Sequence, residues 1–363
     1  MVLRELSLGA TIIGASIITP FVTASSWTTQ WSRDLPPLHE AAMNASSACP
    51  LRHVLVAGAD IGSTLYDGTT PLHLAAAHNP HVEVSRFLLQ NGADVNATND
   101  RGDTALLAAA VGTTNPDVVR LLLQWDADVN TANLDGTTAL IAAAAVTPDR
   151  SVMDLLIEAG ADVHAVDRNG LSALTVAALM NIQTEVIQAL LEAGADPNSR
   201  SDAGYTPIMV AAQSNPNEHV VRTLLHWGAE VDARGAEGIT ALHLAAAYEQ
   251  TEVVRVLLDS GASVEPSLAD GTTPLMAAAA ASSSTGVLEV LLAAGANVEA
   301  RTASGWTALH HAAAWSREPD VIRLLLASGA DTAAVTDEGA TALSLALSRD
   351  PSQRPVAVLL ANP

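Results

Sequence analysis

The sequence predicts an all-α repeat solenoid, made of stacked helix-turn-helix units joined by β-hairpin-like loops. Three observations carry that prediction. A Gly-Ala-Asp turn recurs with its first position at Gly58, Gly92, Asp126, Gly160, Gly194, Gly228, Gly261, Gly295 and Gly329, at intervals of 34 residues with a single 33. A Thr-Pro-Leu-His segment, or a variant of it, follows each turn at a constant distance. Ala, Leu and Val supply most of the apolar content while aromatic residues are only 3%, as thin, closely packed helices require. A fixed period of this size marks units that each pack on their neighbours, in place of one large core.

In chain order, residues 1–24 differ from everything after them. Arg4 gives a weak positive start, Leu6 to Val22 is apolar and uncharged, and Val22-Thr23-Ala24 offers small residues where a signal peptidase reads. This predicts a signal peptide cleaved after Ala24 and a mature chain that is exported, either periplasmic or secreted. An uncleaved membrane anchor formed by residues 6–24 is the alternative, because the stretch borders on the roughly 20 residues a span needs. Residues 25–34 read as a polar lead-in, in which Trp27 and Trp31 would share a helical face and cover the end of the first repeat.

Residues 35–363 hold about ten repeats, the first and last expected to act as caps. Each first helix is announced by its own N-terminus. Thr70-Pro71-Leu72-His73, Thr104-Ala105-Leu106, Thr206-Pro207-Ile208, Thr240-Ala241-Leu242-His243 and Thr307-Ala308-Leu309-His310 place a hydroxyl at the cap and Pro or Ala at the first helical position. A second helix runs through the Leu pairs, as in Leu88-Leu89, Leu190-Leu191 and Leu325-Leu326. The turn glycine stops it, since that position favours positive φ. Asp67-Gly68, Asp135-Gly136 and Asn169-Gly170 then predict a tight hairpin-like turn before the next cap. Asp126 occupies a glycine position and should cost stability there.

These residues resemble the ankyrin repeat family, whose T-P-L-H-x-A signature stands nearly unaltered at Thr70 to Ala75. The resemblance covers about residues 35–363 and implies a non-catalytic module that binds a protein partner on the side formed by the hairpin tips and first helices. It also implies that the motif histidines His39, His73, His243 and His310 bond to backbone and support the neighbouring turn.

Composition narrows the partner. Net charge is −22, all 17 basic residues are Arg and Lys is absent. Nucleic acid and anionic membrane surfaces call for basic stripes, so neither is expected as a partner. A basic protein partner fits better. The missing Lys reads as codon preference, with avoidance of Lys-directed modification in a host cell as the alternative. Cys49 stands alone and reads as a small residue of the first repeat. A monomer is expected.

Site chemistry is sparse. His73, His78 and His81 form the one histidine cluster worth testing for a metal or ligand, but no H-E-x-x-H or paired-Cys pattern accompanies them. The acidic ladder Asp60, Asp94, Asp128, Asp162, Asp196 and Asp331 is expected to bond backbone, and the sequon at Asn96 falls in a repeat column. No cofactor and no catalytic residue is expected. The columns free to vary carry large side chains in the second half of the array. Leu171, Met180, Tyr205, Ile239, Tyr248, Trp306 and Trp315 are therefore the predicted partner-binding residues. Trp125 and Trp227, each ending a second helix, either extend that surface or cover helix ends. A secreted effector that binds a host protein is the alternative function within the same class.

Overall fold

The computed structural model describes residues 35–361, apart from 113–114, 149, 181, 282, 317 and 350–353. The signal-like segment and the lead-in with Trp27 and Trp31 lie outside the described residues. The chain divides into two compact units, the first ending at Asp196 and the second starting at Pro197. Among the described residues each contains five helix pairs.

In the first unit the pairs are α1 (Pro37–Asn44) and α2 (Ala48–Val56), α3 (Pro71–His78) and α4 (Val82–Gln90), α5 (Ala105–Gly112) and α6 (Pro116–Gln124), α7 (Ala139–Val146) and α8 (Ser151–Glu158), and α9 (Ala173–Met180) and α10 (Thr184–Glu192). In the second unit they are α11 (Pro207–Ser214) and α12 (Glu218–His226), α13 (Ala241–Ala247) and α14 (Thr251–Asp259), α15 (Pro274–Ala281) and α16 (Gly286–Ala293), α17 (Ala308–Trp315) and α18 (Pro319–Ala327), and α19 (Ala342–Arg349) and α20 (Arg354–Ala361). Within each unit, every first helix packs on the next first helix.

The two helix types are buried differently, and the sequence says why. First helices are apolar almost all round: Pro71 through Ala77 of α3 are all buried. Their Ala side chains let neighbouring helices approach closely. At the end of α5 the approach is tight enough that a Cβ on Gly112 would collide with the backbone of Ala77. Second helices are amphipathic and bury one stripe, as in Val84, Ser85, Leu88 and Leu89 of α4. Truncating one of these buried Leu residues would cost about 2–5 kcal/mol through lost transfer energy and an unfilled cavity.

Their outer stripe neutralises itself. Arg86, Arg120, Arg255 and Arg323 each pair with an acid three residues earlier: Glu83, Asp117, Glu252 and Asp320. At Arg52 and Arg222 the residue three back is Cys49 or His219, and no ion pair forms among the described residues. Cys49 itself is exposed, on α2.

Every second helix that leads into a turn ends alike. In α4 the Gly92 amide donates to Leu89 and the Ala93 amide to Leu88, closing a Schellman motif. Gly92 has φ 93°. Asp126 takes the same conformation at φ 60° after α6 and makes the same two bonds, so the cap forms despite its side chain.

Candidate partner-binding surface

The loops between repeats are fingers with one repeated hydrogen-bond plan. In the first, Leu65 donates to the Thr69 carbonyl and Gly68 donates back to Leu65. Equivalent pairs close at Asn99 and Asp103, Asn133 and Thr137, Asp167 and Leu171, Ser201 and Tyr205, Gly235 and Ile239, Leu268 and Thr272, Thr302 and Trp306, and Thr336 and Ala340. The glycine before the closing residue has positive φ throughout, for example 77° at Gly102 and 76° at Gly305. Only isolated bridges result, such as Thr98 with Thr104, so the hairpin-like prediction holds without named strands among the described residues.

A polar side chain at the base of the finger tightens it. Asn99 Oδ1 accepts from the amides of Arg101 and Asp103, and Asn133 and Asp167 repeat the arrangement. Thr302 Oγ1 accepts from the Trp306 amide, fixing that residue at the root of its finger. Neighbouring fingers are joined tip to tip: the Ala303 amide donates to Asp270 and the Asp337 amide to Ser304.

The motif histidines tie finger to helix. The Thr70 amide donates to His73 Nδ1, which leaves Nε2 to carry the proton and donate to the Asp103 carbonyl at 2.8 Å. His243 reaches the Thr272 carbonyl at 3.1 Å, His310 the Ala334 and Ala340 carbonyls, and His39 the Thr69 carbonyl. Burial pushes all four rings below their usual pKa, His243 to about 4. They are neutral supports for the turn, as expected of them.

The seven predicted contact residues divide into two groups. Leu171 and Ile239 are only 4% and 3% exposed. Both sit at the root of a finger and turn inward, so they offer no area to a partner, a correction to the expectation for them. Met180, Tyr205, Tyr248, Trp306 and Trp315 are half-buried. Met180 belongs to the first unit and the other four to the second.

In the second unit the aromatics form two groups. The Tyr248 hydroxyl accepts from Gln213 Nε2 at 3.3 Å, and burial raises the pKa of both Tyr248 and Tyr205. Gln213 Oε1 is buried with no hydrogen-bond partner. Further along, Trp306 and Trp315 stack at 5.0 Å between ring centroids. His311 lies against both, 5.2 Å from each ring. It is 6% exposed, and neither ring nitrogen has a hydrogen-bond partner. Burial drives its pKa down to about 4, against the pull of the Asp270 carboxylate.

A family model described as ankyrin repeats (3 copies) matches residues 38–133, 140–235, 183–267, 208–302 and 275–362. The chain belongs to the ankyrin repeat family. No curated protein matches it.

In this ankyrin array the remaining polar columns are structural. Asp60, Asp94, Asp128, Asp162 and Asp331 each accept the amide two residues on. The Asn96 sequon is engaged at both ends: Nδ2 donates to the Asp126 carbonyl and Oδ1 accepts the Asp128 amide. Asn130 and Asn198 bridge their next repeats in the same way.

Of the histidine cluster, His73 has both ring nitrogens bonded within the fold. Burial lowers the pKa of His78, and His81 is exposed ahead of α4. No group of three or more His, Cys, Asp or Glu side chains is placed to hold a metal ion among the described residues. Trp125 and Trp227 are each 40% exposed at the ends of α6 and α12.

Sequence reasoning missed three things: the finger-base column at Asn99, Asn133 and Asp167, the bridging column at Asn96 and Asn130, and His311. The first two were visible as polar residues at fixed offsets from the glycines. His311 replaces the Leu found at Leu74 and Leu244 in the same place of the motif, and that departure was its signal.

Proposed function

We propose that this ankyrin array is a non-catalytic scaffold that acts outside the cytoplasm and binds a protein partner. Repeats of this family are protein-protein interaction modules. The contact surface is the finger and first-helix side of the second unit. One observation carries this reading: four aromatic side chains, Tyr205, Tyr248, Trp306 and Trp315, remain partly exposed on that side, two of them stacked ring on ring. Tyr and Trp supply large contact area with few rotors, which is why they anchor interfaces. Export is supported by the apolar segment before Ala24.

Affinity capture from the native compartment, read by mass spectrometry, tests it. Tyr205→Ala, Trp306→Ala and Trp315→Ala combined should lose the captured protein while circular dichroism keeps its helical signal. Undiminished capture by that folded variant would place the partner elsewhere.

A further inference from the structure

The Trp306–Trp315 pair sits in an electrostatic setting unlike that of the first turns of α14 and α18. On α14 and α18 the first-turn acids are paired locally, Glu252 with Arg255 and Asp320 with Arg323, while Asp259 and Glu289 form no ion pair among the described residues. On the fingers the acids are unpaired: Glu237, Asp270, Asp337 and Glu338 form no ion pair among the described residues, and all but Asp270 are exposed. The finger arginines keep their charge but donate to backbone and form no ion pair with these acids, three cations against the four carboxylates and a chain net charge of −22. Arg200 donates to the Gly204 and Arg234 carbonyls, Arg234 to Ser267 and Arg301 to Val335.

The finger that carries Trp306 is hydrogen-bonded on one side to the Asp270 finger and on the other to the Asp337 finger. The Trp306 finger is therefore flanked on both sides by fingers whose carboxylates form no ion pair among the described residues, although Asp270 Oδ1 accepts the Thr272 amide. His311 lies against both indole rings, buried with neither ring nitrogen hydrogen-bonded, a cost the chain bears beside the rings a partner would cover.

We propose that the Trp306–Trp315 pair seats an arginine side chain of a basic, extended peptide segment, with Asp270 on one flanking finger and Asp337 and Glu338 on the other holding the cations to either side. The proposal rests on the protein-binding reading above and names the partner's chemistry. Indole is the best π surface for a cation, and a planar guanidinium stacks on it where an ammonium cannot. The carboxylates attract a basic chain and repel nucleic acid and anionic lipid. The spacing also fits. Adjacent helices lie about 8–10 Å apart, and residues three apart in an extended chain are about 10 Å apart. An arginine at every third residue would thus meet successive fingers in register.

The probe is a fluorescein-labelled peptide of about ten residues with Arg at every third position and Ala between, titrated into the full chain by anisotropy. It should bind, more weakly as salt rises, and the Glu-for-Arg peptide should not. Trp315→Leu, which keeps apolar area but removes the π face, should weaken binding about tenfold, and Trp315→Phe should recover much of that loss. Asp337→Asn with Glu338→Gln should weaken it and flatten its salt dependence. These surface changes also carry the test should Trp315→Leu fail to fold.

No binding of the Arg peptide, equal binding of the Glu peptide, or full affinity in folded Trp315→Leu would each overturn the proposal. A native partner lost on the combined Tyr205, Trp306 and Trp315 substitution, together with no Arg-peptide binding, would overturn the cation seat and leave the protein-binding surface standing.

Discussion

Asp126 shows how a single residue can be out of step with its column and still obey it. It holds φ 60° and makes both cap bonds, so its backbone does what Gly92 does. Only the penalty of a side chain in left-handed geometry separates them, partly offset because Asp tolerates that region better than most residues. Asp126→Gly is therefore expected to stabilise the chain by about 0.5–1 kcal/mol in urea unfolding, since the Asn96 contact goes to the Asp126 backbone and survives. An unchanged or lower midpoint would contradict the assignment. His311 is the opposite case, a residue whose neighbours give it nothing to bond. It stacks on Trp315 and lies tilted against Trp306, contacts that leave both ring nitrogens without a hydrogen bond.

At the scale of the element, the two glycine columns look alike in sequence and differ in physics. A Cβ added at Gly92, after α4, meets nothing within 4 Å, whereas one at Gly102 comes within 3.1 Å of the Leu134 amide nitrogen. Both hold positive φ, at 93° and 77°. Gly92→Ala should cost about 1–2 kcal/mol from conformation alone. Gly102→Ala should cost more, because it also pushes the next finger away. Equal losses in thermal melts would argue against the tip-to-tip contact.

The helices, their caps and the finger turns were legible because each is written locally: Thr before Pro or Ala, paired Leu, then Gly. What was not legible was which face a finger-root residue takes. Leu171 and Ile239 occupy the same column as Tyr205 and Trp306, yet they are buried while the aromatics stay half-exposed. A short aliphatic side chain fits beneath the finger and a ring does not, and a one-dimensional column cannot distinguish the two. Nor could it show that His311 would lie against two indoles drawn from opposite ends of the motif.

Across the whole molecule, buried neutral histidines make stability depend on pH. Burial lowers the folded-state pKa of His39, His73 and His310, and brings His243 and His311 from 6.5 to about 4. Because the folded values lie below the unfolded one, the unfolded chain takes up protons the folded chain refuses. Their contribution is complete above about pH 6.5, falls as pH drops towards 4, and is lost below that. A shift of this size is on the order of 3 kcal/mol for His243. Tm measured from pH 7.5 to 4.5 at fixed ionic strength should fall, and His311→Leu should fall less steeply. A slope unchanged in that variant would show that His311 is not buried neutral.

The central claim, that the partner lies against the fingers and first helices of the second unit, is tested most directly by hydrogen-deuterium exchange of the chain with its captured partner. Protection is expected over Thr302 to Trp315 and at the Ser201 to Tyr205 finger, with α14 and α18 unchanged. Protection confined to α14 and α18, with the Trp306 finger exchanging as in the free chain, would contradict it.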